Sequence, residues 1–254
     1  MRAIILAAGS GLRLQQQPGK QFPKCLLRFE NVTLLERHLR LLEAAGVTEV
    51  TLALGFQPEQ VKAELARIGW PHAVQIVLNP RFDLGSVLTV HCAADALVRG
   101  GDVLLMDADV LYDERILAPL VAGASANRLL IDRAFEEGDE PVKLCLRDGV
   151  PVELRKQVAA GLQYDAMGES VGFFRFDESA AQRFAQIVQG YVEHDRAHLP
   201  HEEAVRDLLL ERGAQFGTAD VTGAPWIEID FPGDVARATQ QVLPQLRPLA
   251  RRAG

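Results

Sequence analysis

The sequence is poor in cysteine and has no long apolar run. Its three cysteines, Cys25, Cys92 and Cys145, stand far apart among 254 residues, and no C-x-x-C pair occurs. This pattern predicts neither a disulfide framework nor a zinc site, and it fits a reducing compartment, so we expect a cytoplasmic protein. No apolar stretch approaches the ~20 residues of a membrane span, so we do not expect membrane insertion.

Positive charge is also in short supply. Lys and Arg number 27 against 34 Asp and Glu, which gives a net charge of −7 at pH 7. Because non-specific nucleic-acid binding needs a basic surface that neutralises phosphates, this balance argues against a nucleic-acid partner. The composition, 48% hydrophobic and 24% charged, is that of a globular protein that buries a sizeable core.

Apolar periodicity alternates between strand and helix through the first half of the chain. The predicted strands are 2–7, 49–54, 74–78 and 102–106, and the predicted helices are 33–45, 58–68 and 86–98, the last capped by Ser86. Such alternation is typical of βαβ units and a parallel sheet.

The rhythm changes after about residue 126. The pattern then predicts strands over 127–132, 142–146 and 170–176, helices over 178–193 and 201–211, and a last strand over 226–230 before a helix from Pro232. We find no linker or repeat, so we expect one α/β domain over residues 1–254.

The strongest chemical signal lies at the end of the first predicted strand. Residues 6–14 read LAAGSGLRL, so a strand runs straight into a turn of small residues. Gly9 and Gly11 permit backbone geometry that a Cβ would block, and backbone amides in such a turn can approach phosphate oxygens. A tight turn without a ligand is the plain alternative.

Two cations accompany this turn. Arg13 lies within it and Lys24 follows in a Pro-Lys pair, and both would add positive charge beside a phosphate. The turn is not a dinucleotide fingerprint, because Leu14 stands in place of the third glycine. It is not a P-loop either, because Gly19-Lys20 lacks the earlier glycine and a following Ser or Thr.

Two further predicted strands end in carboxylates. Asp107 and Asp109 follow the strand over 102–106, and Asp230 ends the last strand. Ligands of open α/β sheets bind beyond the carboxyl ends of strands, and Mg²⁺ needs few carboxylates because waters and substrate oxygens complete its shell. The plain alternatives are a helix cap by Asp109 or Asp113 and a structural cap after Asp230.

Together these motifs resemble the nucleotidyltransferase family that makes nucleotide-activated sugars and headgroups from a nucleoside triphosphate. The likeness covers nearly the whole chain and depends on the glycine-rich start with its Pro-Lys, on D-A-D-V at 107–110 and on W-x-x-x-D at 226–230. It implies a Rossmann-like α/β fold with a mixed, mostly parallel sheet flanked by helices, and dependence on Mg²⁺. It also implies a nucleotide-binding half over 1–125 and an acceptor-binding, metal-completing half over 126–246.

The resemblance implies roles for individual residues. Asp109 and Asp230 would hold the metal. Arg13 and Lys24 would neutralise the leaving pyrophosphate and the α-phosphate, and Lys156 would bind the acceptor's phosphate. Nucleotide contacts are expected from Leu6, Ala7, Ala8, Gly9, Ser10, Gly11, Asn79, Gly85, Ser86 and Asp107. One departure is the segment Gln15–Pro18, where the family's usual threonine-containing loop is missing.

Within this family the sequence is most similar to short members that use CTP and act on phosphocholine, 2-aminoethylphosphonate or inositol 1-phosphate. Glu169 and Glu202 are acidic candidates for a cationic headgroup, and Trp226 could offer it a π face. The plain alternative for Glu202 and Glu203 is a solvated helix face.

The expected function is Mg²⁺-dependent transfer of CMP from CTP to a small phosphorylated or phosphonate headgroup, with release of pyrophosphate. A homodimer is compatible with this expectation. Three alternatives stay open: nucleotidyl transfer to inositol 1-phosphate or a sugar 1-phosphate, a metal-dependent glycosyltransferase that uses the D-x-D pair, and a non-catalytic nucleotide-binding module.

Overall fold

A computed structural model describes residues 1–14 and 21–250, so the Gln15–Pro18 segment lies outside the described residues. The strands are β1 (Arg2–Ala7), β2 (Arg28–Phe29), β3 (Val32–Thr33), β4 (Glu49–Leu54), β5 (Val74–Leu78), β6 (Val103–Asp107), β7 (Val110–Tyr112), β8 (Asn127–Asp132), β9 (Lys143–Arg147), β10 (Val150–Arg155), β11 (Ala166–Phe176), β12 (Phe216–Asp220) and β13 (Trp226–Glu228). The helices are α1 (Leu34–Ala44), α2 (Pro58–Ile68), α3 (Ser86–Cys92), α4 (Ala94–Val98), α5 (Glu114–Ala122), α6 (Glu178–Glu193), α7 (His201–Arg212) and α8 (Pro232–Arg237).

Nine strands of the described residues form one sheet. Its order is β10-β9-β11-β6-β1-β4-β5, with β8 paired to β11 and β12 paired to β8. Strands β6, β1, β4 and β5 run parallel, whereas β11 runs antiparallel to β6, β8 and β9. The first half of the chain therefore builds a parallel core and the second half extends it, which confirms the expected mixed α/β fold.

The core occupies both faces of the sheet. Ala3 and Ile5 of β1 pack with α1 and α5 residues, while Ile4 packs on the opposite face with α6 and α7 residues. Successive strand residues point to opposite faces, so β1 is held from both sides. Because β1 is fixed in this way, the turn at its carboxyl end has a rigid support.

None of the helices in residues 1–14 and 21–250 has the length and apolar character needed to cross a bilayer.

The start of α1 shows how local sequence fixes an element. The Thr33 hydroxyl accepts a hydrogen bond from the Glu36 backbone N–H at 3.1 Å, and Leu35, Leu39 and Leu42 are fully buried. Gly46 has φ +77° just beyond the helix end, a conformation that favours glycine. This helix lies where the capping and spacing signals predict it.

The predicted helix 86–98 is wrong as a single, Ser86-capped element. The structure breaks it at Ala93 into α3 and α4, and no side chain caps α3. The Ser86 hydroxyl instead accepts a hydrogen bond from the backbone N–H of His201 at 2.8 Å. A contact between residues 115 positions apart in the chain outweighs the local capping signal.

Candidate functional site

The carboxyl ends of β1 and β6 lie side by side, with Leu6 opposite Asp107. A cavity of about 340 Å³ opens beyond them, and we call it the central cavity. The predicted site residues that line it are Leu6, Ala8, Gly9, Arg13, Lys24, Gly85, Ser86, Asp107, Asp109, Lys156, Glu202 and Asp230. The cavity therefore draws on both halves of the chain.

Lys24 lies at the centre of a charged cluster. Its Nζ donates to Asp109 Oδ2 at 2.9 Å and to Asp230 Oδ1 at 2.5 Å, and Arg13 Nη2 donates to Asp230 Oδ2 at 2.8 Å. The structure thus brings together two cations and two carboxylates that the sequence separates by up to 217 positions.

The two carboxylates keep Lys24 charged. Burial lowers the pKa of the Lys24 ammonium, but attraction to Asp109 and Asp230 outweighs burial and the net shift is upward. Lys24 begins a single turn of 3₁₀ helix directly after Pro23, which holds its backbone against the cavity. The group is therefore a permanent positive charge at neutral pH.

Asp109 is free to face the cavity because another residue caps the following helix. Asp113 accepts a hydrogen bond from the Arg115 backbone N–H at 3.0 Å and so caps α5. Of the two predicted alternatives for a cap, the structure selects Asp113.

Glu228 is a cavity residue that sequence reasoning did not select. Its carboxylate, with those of Asp109 and Asp230, places three oxygens within 4.8 Å of one another. Enclosure by the cavity walls raises the pKa of Glu228, and the neighbouring Asp109 and Asp230 raise it further. The sequence W-I-E-I-D at 226–230 contained a signal for Glu228. In an extended chain residues 228 and 230 point to the same side, so a metal-binding role for Asp230 places Glu228 near the metal as well.

Asp107, His201 and Glu202 form a second group on the cavity wall. One potential ligand atom of each lies within 4.8 Å of the other two. His201 Nε2 is 3.9 Å from Asp107 Oδ1, and His201 Nδ1 is 3.1 Å from Glu202 Oε2. Burial raises the pKa of Asp107, and the charge of Glu202 adds to the effect.

Gly172 makes room for Asp107. A Cβ on Gly172 would lie 2.4 Å from Asp107 Oδ2, and its φ of +77° disfavours other residues. The register of β11 against β8 shifts between Ser170 and Phe174, so Gly172 sits in a bulge beside the cavity. A glycine inside a strand pattern is the sequence signal for such a close approach.

Glu140 is a second residue that the sequence reasoning missed. Its Oε2 lies 2.8 Å from Lys156 Nζ and 3.2 Å from Arg13 Nη1. The carboxylate thereby links the cation of the first half with that of the second half. It lies between β8 and β9, in a segment whose sequence shows no periodicity that would place it at a site.

Some predicted nucleotide-contact residues lie outside the wall of the central cavity. Asn79 is buried, with Nδ2 donating to Thr89 Oγ1 at 3.0 Å and Oδ1 accepting from the Arg81 backbone at 3.0 Å. Its side chain therefore holds the segment that leads to Gly85. The described wall residues do not include Ser10 and Gly11, and Ala7 lines a small recess beside Lys24 instead.

Glu169 and Trp226 line a different cavity, of about 500 Å³, which we call the side cavity. Glu228 and Asp230 belong to the walls of both cavities. Trp226 Nε1 donates to Asp132 Oδ2 at 2.8 Å. Burial raises the pKa of Glu169 to about 7, with Asp132 contributing. The predicted acceptor residues are thus divided, with Glu202 on one side of Asp230 and the other two beyond it.

The arrangement has the chemistry of an anion site next to a cation site. Arg13, Lys24 and Lys156 offer three positive groups to phosphate oxygens. Carboxylates of Asp109, Glu228 and Asp230 are hard oxygen donors close enough together to hold a divalent cation. A Cβ on Gly9 would meet no described atom within 4 Å, so the turn leaves open space in the cavity wall.

The chain is similar to several known enzymes. It is 23% identical to the CTP:phosphoglutamine cytidylyltransferase of Campylobacter jejuni, over 92% of this chain and 98% of that one. It is 29% identical to the CMP-5′-(3-aminopropyl)phosphonate synthase of Streptomyces rubellomurinus, over 94% of this chain, and to the bifunctional IPC transferase and DIPP synthase of Rubrobacter xylanophilus, over 95%. It spans only 38% and 52% of the lengths of these last two proteins.

Solved structures share the fold. The inositol-1-phosphate CTP transferase from T. maritima matches with a TM-score of 0.75 at 18% identity, over 96% of this chain and 95% of that one. The CTP:phosphocholine cytidylyltransferase from Streptococcus pneumoniae matches with a TM-score of 0.73 at 17% identity, over 94% and 97%. The family model of the MobA-like NTP transferase domain matches residues 3–170. With that match over most of its length, the chain belongs to the MobA-like NTP transferase family.

Proposed function

We propose that this protein transfers CMP from CTP to a small phosphorylated or phosphonate acceptor and releases pyrophosphate. The observation that carries the proposal is the convergence of Lys24 with Asp109 and Asp230 in one cavity, next to the glycine-rich turn. Names of similar enzymes that use CTP support the choice of nucleotide. The free state of all three cysteines supports a reducing, cytoplasmic setting.

The reaction needs positioning and charge more than proton transfer. An oxygen of the acceptor's phosphate or phosphonate forms a bond to the α-phosphorus of CTP. The bond from that phosphorus to the bridging oxygen breaks, and its electron pair leaves with pyrophosphate. The attacking oxygen is already anionic, so no general base is required.

Arg13, Lys24 and Lys156 bind different phosphate groups of the two substrates. Arg13 and Lys24, which lie beside the glycine-rich turn, bind the triphosphate and stabilise the charge that develops on pyrophosphate. Lys156, which shares the Glu140 carboxylate with Arg13, binds the acceptor's phosphate. Glu140 bridges Lys156 and Arg13 in this structure, so it leaves that position when phosphates bind.

The carboxylates fit a divalent cation. Asp109, Glu228 and Asp230 supply oxygen donors only, and Mg²⁺ prefers such donors. When bound, Mg²⁺ neutralises phosphate oxygens of CTP. Lys24 contacts two of these carboxylates and holds them in place on the cavity wall.

The acidic walls favour an acceptor with a positively charged headgroup, such as phosphocholine or 2-aminoethylphosphonate. Glu202 lies in the central cavity, and Glu169 and Trp226 remain candidates for parts of the acceptor that extend past Asp230. Inositol 1-phosphate and sugar 1-phosphates are the neutral-headgroup alternatives.

The test is pyrophosphate release by the full chain with Mg²⁺, each of the four common ribonucleoside triphosphates and a panel of phosphate and phosphonate acceptors. We expect release with CTP and an acceptor, and formation of the CMP-linked product by mass spectrometry. An absence of release with every triphosphate across the panel would reject the proposal. Release of a nucleoside diphosphate from nucleoside diphosphate sugars, followed by mass spectrometry, would favour a glycosyltransferase.

A further inference from the structure

We propose that the acceptor carries a protonated amine with at least one N–H, and that Asp107, His201 and Glu202 bind this group. The inference rests on the proposed function, because it concerns the acceptor of that reaction. All three residues line the central cavity, whose wall also includes Lys156. A phosphate held by Lys156 and an amine held by this triad would then be two ends of one small molecule.

The spacing of the triad matches an ammonium group. Three atoms no more than 4.8 Å apart share a point within about 2.8 Å of each, which is 4.8 Å divided by the square root of three. That distance is the length of an N–H hydrogen bond. A trimethylammonium nitrogen stays roughly 4 Å or more from any oxygen because its methyl groups intervene. The triad would have to open to admit it.

His201 supplies an independent sign of a missing hydrogen-bond donor. The residue is 2% exposed, and its Nε2 has no partner among the described residues. His201 Nδ1 makes its hydrogen bond with Ser86 Oγ at 3.1 Å. Glu202 Oε2 lies 3.1 Å from Nδ1 without a hydrogen-bond partner of its own in the described part of the chain, and its negative charge favours a proton on Nδ1, which then donates to Ser86 Oγ. Nε2 then faces Asp107 as an acceptor, with a separation of 3.9 Å that is too long for a direct hydrogen bond. An N–H between them satisfies both groups.

The central cavity offers little to a quaternary ammonium. Apart from the imidazole of His201, Phe82 is the one aromatic residue among the described residues that line it, and Phe82 packs edge-on against Phe56. Recognition of quaternary ammonium uses the faces of several aromatic rings. Carboxylates and an imidazole acceptor instead favour a cation that donates hydrogen bonds.

A methylation series tests this inference. The wild-type enzyme is given 2-aminoethylphosphonate and its N-methyl, N,N-dimethyl and N,N,N-trimethyl forms, with CTP and Mg²⁺, and kcat/KM is measured for each. Only the trimethyl compound has no N–H to donate to the acceptor atoms of the triad. We therefore expect the largest fall in kcat/KM, at least ~100-fold, between the dimethyl and trimethyl compounds. A trimethyl compound that reacts as well as the primary amine would overturn the inference.

Two variants test whether Glu202 is responsible for the preference for the primary amine over the trimethyl form. Glu202→Gln is expected to lower kcat/KM for the primary amine by roughly 10- to 100-fold and for the trimethyl form by much less, so that the preference for the primary amine becomes smaller. Glu193→Gln, on an exposed part of α6, serves as the matched control and should keep the full preference. Equal losses for all four acceptors in Glu202→Gln would contradict the assignment.

Two further measurements separate the remaining outcomes. Turnover of inositol 1-phosphate with no turnover of any amine would refute the inference and leave the proposed function standing, whereas no turnover of any acceptor refutes the proposed function. A titration with Mn²⁺, followed by electron paramagnetic resonance, tests whether the triad binds a metal instead. Loss of one bound Mn²⁺ in His201→Gln would assign the triad to a metal and overturn the inference.

Discussion

Lys24 is the side chain that contacts both Asp109 and Asp230 in the central cavity. It is mostly buried and makes hydrogen bonds to Asp109 and Asp230, so its removal leaves two carboxylates without their cation. We expect Lys24→Met to lower kcat by about 10³-fold or more, because in the proposed reaction the Lys24 charge stabilises the leaving pyrophosphate.

Pyrophosphate release measures this effect, and the melting temperature checks that the fold survives. Lys62→Met is the control, since Lys62 contacts only the exposed Glu59 at 2.7 Å among its ion pairs in the described structure. A Lys24→Met enzyme with near-normal kcat would remove Lys24 from the mechanism.

Glu169 makes stability depend on pH. Burial, with Asp132, raises its pKa from the usual 4.5 to about 7, while Arg237 and Lys143 act in the opposite direction and Glu136 adds to the rise. The folded state therefore holds this proton more tightly than the unfolded state, and its contribution to stability is lost as pH rises from 4.5 to 7. Glu169→Gln should stabilise the protein above pH 7 by on the order of 1 kcal/mol and have little effect at pH 4.5.

Urea unfolding of wild type and Glu169→Gln at several pH values between 4.5 and 8 measures the difference. Glu137→Gln, from the same side cavity, provides the comparison. A stability difference that stays constant with pH would show that Glu169 is not the titrating group.

Many helices and strands were predicted correctly because neighbouring residues in the sequence determine them. Strand β4 and helix α2 agree residue by residue with their predicted bounds, since β-branched runs, a leading proline and regular apolar spacing define them. Strands β10 and β12 were not predicted. Pro151 interrupts β10, which tolerates it at the edge of the sheet, and Gly217 weakens the pattern of β12.

The site residues likewise differ in whether a local sequence signal predicts them. The glycine-rich turn and Asp107 lie at the ends of β1 and β6, and Asp230 follows β13, which ends at Glu228, two residues before the predicted end of that strand. A pattern of residues at such positions can be seen in the sequence. Glu140 lies in a segment without periodicity, and the pairing of His201 with Ser86 joins distant elements. Such contacts depend on how α7 packs against the sheet, which no short stretch of sequence specifies.

A carboxylate joins α2 to the β2–β3 hairpin. Glu64 is 6% exposed; its Oε2 contacts Arg28 and Arg67, each at 2.8 Å, and its Oε1 accepts from Thr33 at 2.8 Å. The hydrogen bond from Arg67, followed by one from Thr33, lowers the pKa of Glu64 to about 2. We expect Glu64→Gln to destabilise the protein by on the order of 1 kcal/mol near neutral pH.

The pH dependence has a definite sign. A lowered pKa in the folded state stabilises above the unfolded value of 4.5, and the contribution disappears as pH falls to 2. Urea unfolding at pH 7 and at pH 3 should show a smaller difference between Glu64→Gln and wild type at the lower pH. The exposed Glu59→Gln should match wild type at both.

Several carboxylates line the central cavity, where the proposed reaction requires a triphosphate to bind. We therefore expect triphosphate binding to need a cation in addition to Arg13, Lys24 and Lys156. CTP with Mg²⁺ at about 100 times its Kd should stabilise the protein by ~2.7 kcal/mol, which raises Tm by roughly 5–10 °C at this chain length. CTP with EDTA should raise Tm much less.

Thermal unfolding with each combination of nucleotide, Mg²⁺ and EDTA gives the result directly. Asp109→Asn should reduce the difference between Mg²⁺ and EDTA, because one oxygen donor becomes an amide. An equal shift with EDTA would show that these carboxylates do not act through a metal.

The contact between Lys24 and Asp230 in the wall of the central cavity joins positions 206 residues apart. A chain emerging from the ribosome exposes its glycine-rich turn and Lys24 early, yet Glu228 and Asp230 follow only after every strand of the main sheet has been synthesised. Until the last short strand docks beside β7, a partly folded chain lacks a carboxylate that the Lys24 ammonium needs as its partner. The charge cluster can therefore be complete only after β13 has been synthesised and has paired with β7.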